Sequence, residues 1–332
     1  VSRSITIFAA LAALLISGCG SAGGSSTTTA ATRTVVDARG TSVEVPSTPS
    51  RVIALSEPTL DGALALGVTP IATTAGRGQS SVPAYLAARA EDIDSVGALG
   101  QPSLERIAAL HPDLILVDGT SINDDTLIRR LRSIAPTVYV SKNGADWRAA
   151  FTTEASVLGR AARGRTLLKA FDDRAAEVRA SLGANAGAQV SIIRWSGIGL
   201  PATLKQELSA SRVLDQVGLT RPASQQGRGP GHSVPLSLEN LDQLDGDWIF
   251  FAALGSGGPG DGGGGAKAES AGVTSSRDAI AIASGQSGWD RLGAVRAQHV
   301  VPVDGSAWGS AGGLLAEQVV LDDVQRALGD GS

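Results

Sequence analysis

Between Arg33 and Ser141 the apolar residues fall into short runs, "RVIAL" (51–55), "PIATTA" (70–75), "LILVDG" (114–119) and "TVYVS" (137–141). Runs of this length, rich in β-branched residues, suit strands buried on both faces of a parallel sheet. Between them lie "EPTLDGALALG", "SLERIAAL" and "INDDTLIRRLRSIA", where apolar residues recur every third or fourth position, the period of a helix. Strand and helix in alternation predict an α/β sheet with crossover connections. The second half repeats the pattern: "QVSIIRW" (189–195), "SASRVLDQVG", "DWIFFAAL", "TSSRDAIAIAS", "QHVVPVD" and a last helix "GGLLAEQVVLDDVQRALG". Between the halves runs a proline-free stretch of about 40 residues from Ala145, punctuated by Gly159 and Gly164. A helix of 20 residues spans about 30 Å, enough to bridge two lobes. The expected layout is an α/β lobe over 34–158, an interlobe helix within 159–186 and a second α/β lobe over 187–332.

The first residues read differently. Arg3 precedes an apolar run from Ile5 to Ile16, 12 residues long. Spanning a membrane takes about 20 apolar residues, whereas the core of a secretory signal takes about 7–15. Residues 1–18 are therefore expected to be a signal peptide. The "ISGC" that closes it resembles the lipobox of bacterial lipoproteins, which implies lipidation of Cys19, the single cysteine. The mature chain would then have no intramolecular disulfide, and its core must stabilise it. Residues 19–33, nearly all Gly, Ser, Thr and Ala, cannot bury enough apolar surface to offset ordering and read as a flexible tether. The glycine-rich stretch 255–265 reads as a surface insertion on the same ground. A formal net charge of −4, without a basic run, argues against a nucleic-acid partner.

One pattern recurs. "SLERIAALHPDLIL" (103–116) and "SLENLDQLDGDWIF" (237–250) share Ser, Leu, Glu, Leu, Asp and Ile at matching offsets, 134 residues apart. A serine before a helix caps free backbone N–H groups, and an acid in the first turn is stabilised by the helix dipole by about 0.3–1 kcal/mol. Capping alone would account for the repeat, and so would an acid presented for recognition.

With these segments in place the chain resembles a known family. "DARGTSVEVPSTPSRVIALSEPTLDGALALGVTPIATT", "SVGALGQPSLERIAALHPDLILVDG", "LRSIAPTVYV", "LSLENLDQLDGDWIF" and "GWDRLGAVRAQHVVPVDGSAW" look like successive signatures of the ferric-siderophore, haem and cobalamin substrate-binding proteins of ABC importers. The resemblance runs from Val35 to Leu328. It implies the class III periplasmic-binding-protein fold, two Rossmann-like lobes joined by one long helix, with a ligand in the interlobe cleft; one long helix resists bending more than two flexible strands would, so only a small hinge closure is expected. It also implies that Glu105 and Glu239 dock onto an ABC permease dimer served by its ATPases. The expected product is a monomeric lipoprotein on the outer face of the cytoplasmic membrane.

Ligand sites in α/β lobes lie at the carboxyl ends of strands. The candidates are Ser56, Glu57, Arg77, Gln79, Tyr85, Leu99, Thr120 and Lys142 in the first lobe, and Arg194, Trp195, Arg228, His232 and Trp308 in the second. An arginine beside a tryptophan suits a ligand with anionic oxygens and a flat or greasy body, so Arg194 and Trp195 form the leading pair. Trp147 and Trp289 read as packing residues. No intrinsic cofactor is expected. The expected ligand is a ferric siderophore, with haem or cobalamin as alternatives. Haem iron needs an axial ligand, for which Tyr85 and His232 are the candidates. Many Gram-negative haem-binding relatives carry a tyrosine just after the "VG" that precedes the Glu motif, where this chain has Ala98 and Leu99, a departure that weakens a haem assignment of their kind. Three scattered histidines do not make a zinc or manganese site. Gly-x-Ser-x-Gly, His-Glu-x-x-His and nucleotide fingerprints are absent, so an enzyme is not expected. An envelope protein using the fold for another partner is the remaining alternative.

Overall fold

The computed structural model describes residues 31–228, 233–254, 266–309 and 312–330. The expected signal peptide, Cys19, most of the tether, His232 and the glycine-rich insertion lie outside the described residues. Among the described residues no helix is long and apolar enough to cross a membrane.

The described chain opens with an antiparallel hairpin, β1 (Thr32–Val36) and β2 (Ser42–Pro46). The first lobe follows: β3 (Val52–Ala54), α1 (Glu57–Ala65), β4 (Ala72–Thr73), β5 (Asp94–Ser95), the small hairpin β6 (Gly97–Ala98) and β7 (Gln101–Pro102), α2 (Leu104–Ala109), β8 (Leu114–Val117), α3 (Asp125–Arg132) and β9 (Thr137–Tyr139). Its sheet has the order β5-β4-β3-β8-β9 and every pairing is parallel. Each helix returns the chain to the same end of the sheet, and all five carboxyl ends lie together.

The proline-free middle is two helices. In α4 (Trp147–Val157) the Asp146 side chain accepts from the N–H groups of Arg148 and Ala149. Gly159, at φ 69°, stops that helix, because a Cβ there would stand 2.8 Å from the carbonyl oxygen of Ser47. α5 (Ala161–Ala180) then runs 20 residues and buries Phe171, Ala175 and Val178 on one face.

The second lobe comprises β10 (Val190–Arg194), β11 (Ala202–Leu204), α6 (Ser209–Gln216), β12 (Ser233–Pro235), β13 (Trp248–Ala253), α7 (Ala266–Ala283), α8 (Gly293–Arg296), β14 (Val300–Asp304), α9 (Gly305–Trp308) and α10 (Leu314–Leu328). The sheet order is β12-β11-β10-β13-β14, parallel across β10, β13 and β14 and antiparallel at the other two pairings. The central strands are buried on both faces, as their unbroken apolar runs require. In β8, Leu114 and Leu116 face one core while Ile115 and Val117 face another; in β13, Phe250 and Ala252 oppose Ile249, Phe251 and Ala253.

The core to which Leu114, Leu116 and Phe250 belong is continuous through both lobes, passing over α1, α4, α5 and α10. The lobes are thus joined by packing as well as by α5. The repeat also acquires a structural role: Asp113 accepts from the N–H groups of Ser50 and Arg51 at 2.8 and 2.9 Å, and Asp247 accepts from that of Gln189 at 2.8 Å. Each acid ties the start of a strand, β8 or β13, to the start of its parallel neighbour, β3 or β10.

Candidate functional site

Ser56 follows β3 and caps α1, its hydroxyl accepting from the N–H of Thr59 at 3.3 Å. Glu57 and Pro58 therefore occupy the first turn, and the Glu57 side chain is carried across the carboxyl end of the sheet. Its Oε1 accepts from the backbone N–H of Arg77 at 2.6 Å, and its Oε2, buried, has no partner among the described residues. Arg77 stands on the loop after β4 and donates to the carbonyl of Thr120, on the loop after β8, at 3.1 Å. Asp118, on the same loop, is buried and accepts from the hydroxyls of Thr120 and Ser121.

Arg194, the last residue of β10, faces this group from the other lobe and is half-buried. Burial, and after it the Arg77 guanidinium, push the Arg194 guanidinium below its ordinary value, while Glu57 acts in the opposite sense. Burial raises Glu57, with Arg77 opposing the rise. The charges of Arg77 and Glu57 thus act on Arg194 across the cleft. An anion near Arg77 and Arg194 would offset their repulsion, and each guanidinium is itself a fork suited to carboxylate or other paired oxygens.

Thr120 also lines a cavity of about 320 Å³ running between the lobes, with Asp118 and Lys142 on one wall and Lys205, Ser209 and Arg212 on the other. Trp147, Phe151 and Glu154 of α4 also line it. Glu154 is fully buried; burial drives its carboxyl well above the usual range, and Asp61 and Asp118 add to the rise. Arg212 is held by Asp146 at 2.7 Å. The volume is at the lower end for small-molecule sites, and it adjoins the arginine pair through Thr120. The described residues contain no His, Cys, Asp and Glu group fit to hold a metal ion.

The sequence candidates divide accordingly. Glu57, Arg77, Thr120 and Arg194 come together, and Lys142 lines the adjoining cavity. Leu99 is half-buried at the turn of the β6–β7 hairpin, next to the Ser121 loop; a Cβ on Gly100 would stand 3.1 Å from the Ser121 carbonyl. Arg228 is exposed and is not part of the cavity wall. Three aromatic candidates are corrected. Trp195 is in the core, against Phe251 and Trp289, with its indole N–H donating to the Gly199 carbonyl. Trp308 stacks on Phe250 at 4.5 Å and donates to Asp323 at 2.8 Å. Tyr85 is buried and donates to Asp61 at 3.0 Å, so its phenol is committed and offers no axial position to an iron. Trp195 follows β10, where alternation turns its ring to the same packed side as Ile193; Tyr85 stands in a 3-10 turn and Trp308 ends α9, and their own polar partners hold them inside.

Asp118, Lys205, Arg212 and Glu154 escaped the sequence reading. Asp118 had a usable signal, since it directly follows the run "LILV". Lys205 follows the three-residue strand β11, which has too little pattern to recognise. Glu154 lies in an amphipathic helix, where an acid ordinarily marks the solvated face.

The comparisons with known proteins agree with this architecture. The chain is 28% identical over 323 residues to the "Probable siderophore-binding lipoprotein YfiY" of Bacillus subtilis, covering 95% of this chain and 94% of that protein. It is 26% identical over 253 residues to the Fe(3+)-citrate-binding protein YfmC of the same organism, covering 73% and 76%. Its fold matches the crystal structure of Staphylococcus aureus SirA complexed with staphyloferrin B at a TM-score of 0.71 and 23% identity, covering 89% of this chain and 98% of that one. Residues 52–306 match the family described as periplasmic binding protein, and the chain belongs to that family.

Proposed function

We propose that this protein is an extracytoplasmic substrate-binding lipoprotein that captures an anionic ferric siderophore between its lobes and delivers it to an ABC importer. The convergence of Arg77 and Arg194 from opposite lobes beside Glu57 carries the reading. A ferric chelate built from carboxylate or other anionic oxygens presents paired acceptors to such a fork, and paired charge-assisted hydrogen bonds are among the stronger polar contacts. The ligands named for the relatives, a siderophore for YfiY and ferric citrate for YfmC, are of the same chemical kind.

Delivery rests on Glu105 and Glu239. Both are exposed, one in the first turn of α2 and the other in the 3-10 turns Leu238–Leu244. The Ser103 hydroxyl donates to Glu105 at 3.2 Å, and the backbone N–H of Glu105 together with Ser103 holds its carboxyl below the ordinary value. It therefore stays ionised for a cationic partner. One acid per lobe suits a two-fold permease dimer in which each lobe meets one subunit. Thioether lipidation of Cys19 would keep the carrier at the membrane, within reach of that permease.

The test is a binding screen by tryptophan fluorescence and calorimetry against ferric citrate, ferric hydroxamate and catecholate siderophores, haem and cobalamin. Saturable binding of an anionic ferric chelate at sub-micromolar concentration is expected. A Soret shift on adding haem, with no response to ferric chelates, would replace the ligand assignment. Absence of binding to the whole panel would overturn the importer reading in favour of another envelope role.

A further inference from the structure

Asp61 lies on α1, one turn beyond Glu57, and is fully buried. Its Oδ1 accepts from the N–H of Leu315 and its Oδ2 from the N–H of Ala316, both at 2.9 Å. Those two groups belong to the free N–H groups at the amino end of α10, a 15-residue helix of the second lobe whose own N-cap, Gly313, has no side chain to cap with. The fit is close on both sides. A Cβ on Gly313 would stand 2.3 Å from the Asp61 carboxyl carbon, and one on Gly312, at φ 80°, would stand 2.2 Å from the Ser209 hydroxyl. Tyr85 supplies a third hydrogen bond to Oδ2 from within the first lobe.

A buried carboxylate on a helix amino end gains from the free N–H groups and from the helix dipole, and losing it leaves two buried donors unsatisfied. The cap here comes from the other lobe. Helix α5 connects the lobes through the chain, whereas the Asp61 contact fixes α1 directly against α10. Pro58, Thr59 and Gly62 of α1, with Gly312 and Gly313 before α10, line the interlobe cavity. The contact therefore sits in the wall of the cleft.

We infer that Asp61 is the positioning residue that sets the separation of the two lobes, by capping the α10 helix in trans and holding the cleft walls where Arg77 and Arg194 face each other. No ligand is needed for this role.

The experiment removes the carboxylate that bridges the lobes. Spin labels on Cys19→Ser full-length protein carrying Ala109→Cys in α2 and Ala297→Cys after α8, both exposed positions, report the interlobe distance by pulsed electron resonance. Asp61→Ala is expected to lower thermal stability and to shift or broaden the distance distribution by about 2 Å or more. Asp61→Asn keeps an amide oxygen that accepts from one of the two N–H groups, and it is expected to shift the distribution less than Asp61→Ala does. A wild-type distribution in Asp61→Ala would show that Asp61 is a local helix cap and would overturn the inference. If Asp61→Ala does not fold, Asp61→Asn alone decides: a shifted or broadened distribution supports the inference and an unchanged one overturns it.

Discussion

Arg194 is the side chain on which binding should depend most. It ends a strand whose neighbours fix its backbone, stands half-buried, and faces Arg77 from the other lobe. Hydrogen bonds to charged groups contribute about 1.5–3 kcal/mol, so Arg194→Ala should weaken an anionic ferric chelate by on the order of 10- to 100-fold, read by fluorescence titration. Removing a cation that repels Arg77 leaves folding stability unchanged or slightly raised, and a loss of several degrees in Tm would contradict a binding role for Arg194. Arg194→Lys should recover only part of the affinity, because a point charge does not reproduce the paired donors of guanidinium. The positions of Glu57, Arg77 and Arg194 at strand ends were legible in the sequence because residues after strands gather at one end of a parallel sheet, and their binding role is the proposal. The aromatic candidates failed because position after a strand does not say which way a ring turns, and Trp195, Trp308 and Tyr85 each found partners in the interior.

At the scale of elements, the two "SLE" segments serve related ends through unequal geometry. α2 is a regular helix, whereas its echo is 3-10 with a break at Asn240. Their shared features are the serine cap, an exposed glutamate, and an aspartate that ties parallel strands together. Capping explains the serine, and the strand tie explains Asp113 and Asp247, so the proposed docking rests on the two exposed glutamates. The double charge reversal Glu105→Lys/Glu239→Lys is therefore expected to leave ligand affinity within about twofold, since exposed surface substitutions typically change free energies by less than about 0.5 kcal/mol, while abolishing uptake in cells. Unchanged uptake would remove the docking assignment. The hydrophobic runs marked β3, β8, β10 and β13 within a residue or two, but hairpin β1–β2 and strands β11 and β12 carry mixed polar sequences and become strands through pairing.

For the whole molecule, buried acids set the response to pH. Burial lifts Asp61 from its ordinary 3.8 to about 6 and Glu317 from 4.5 to about 8. Glu57, Asp118, Glu154, Asp304 and Asp323 shift the same way, with burial as the largest cause in each. A carboxyl whose folded pKa is raised binds more protons folded than unfolded. Its contribution is fully present below the unfolded value and is lost as pH rises through the folded value. Stability should therefore fall between about pH 4 and pH 8, and Tm measured by calorimetry should be higher at pH 5 than at pH 8, by about 2–4 °C for each kcal/mol. A Tm that rises over that interval would contradict the burial of these acids. With one continuous core and α5 shared between the lobes, ligand should produce only a small closure, and a scattering change typical of wide clamshell closing would argue against it.

The sequence by itself determined the α/β class and the doubling into two halves around a long helix, because periodicity and punctuation are local and survive without tertiary context. The tertiary structure decided which side chains meet. Only packing could commit Tyr85 to Asp61, bury Glu154 in the cavity wall, and bring Asp61 to a helix 254 residues further along the chain. These contacts join segments with no common pattern, and what fixes them is the need of buried polar groups for partners that folding alone supplies.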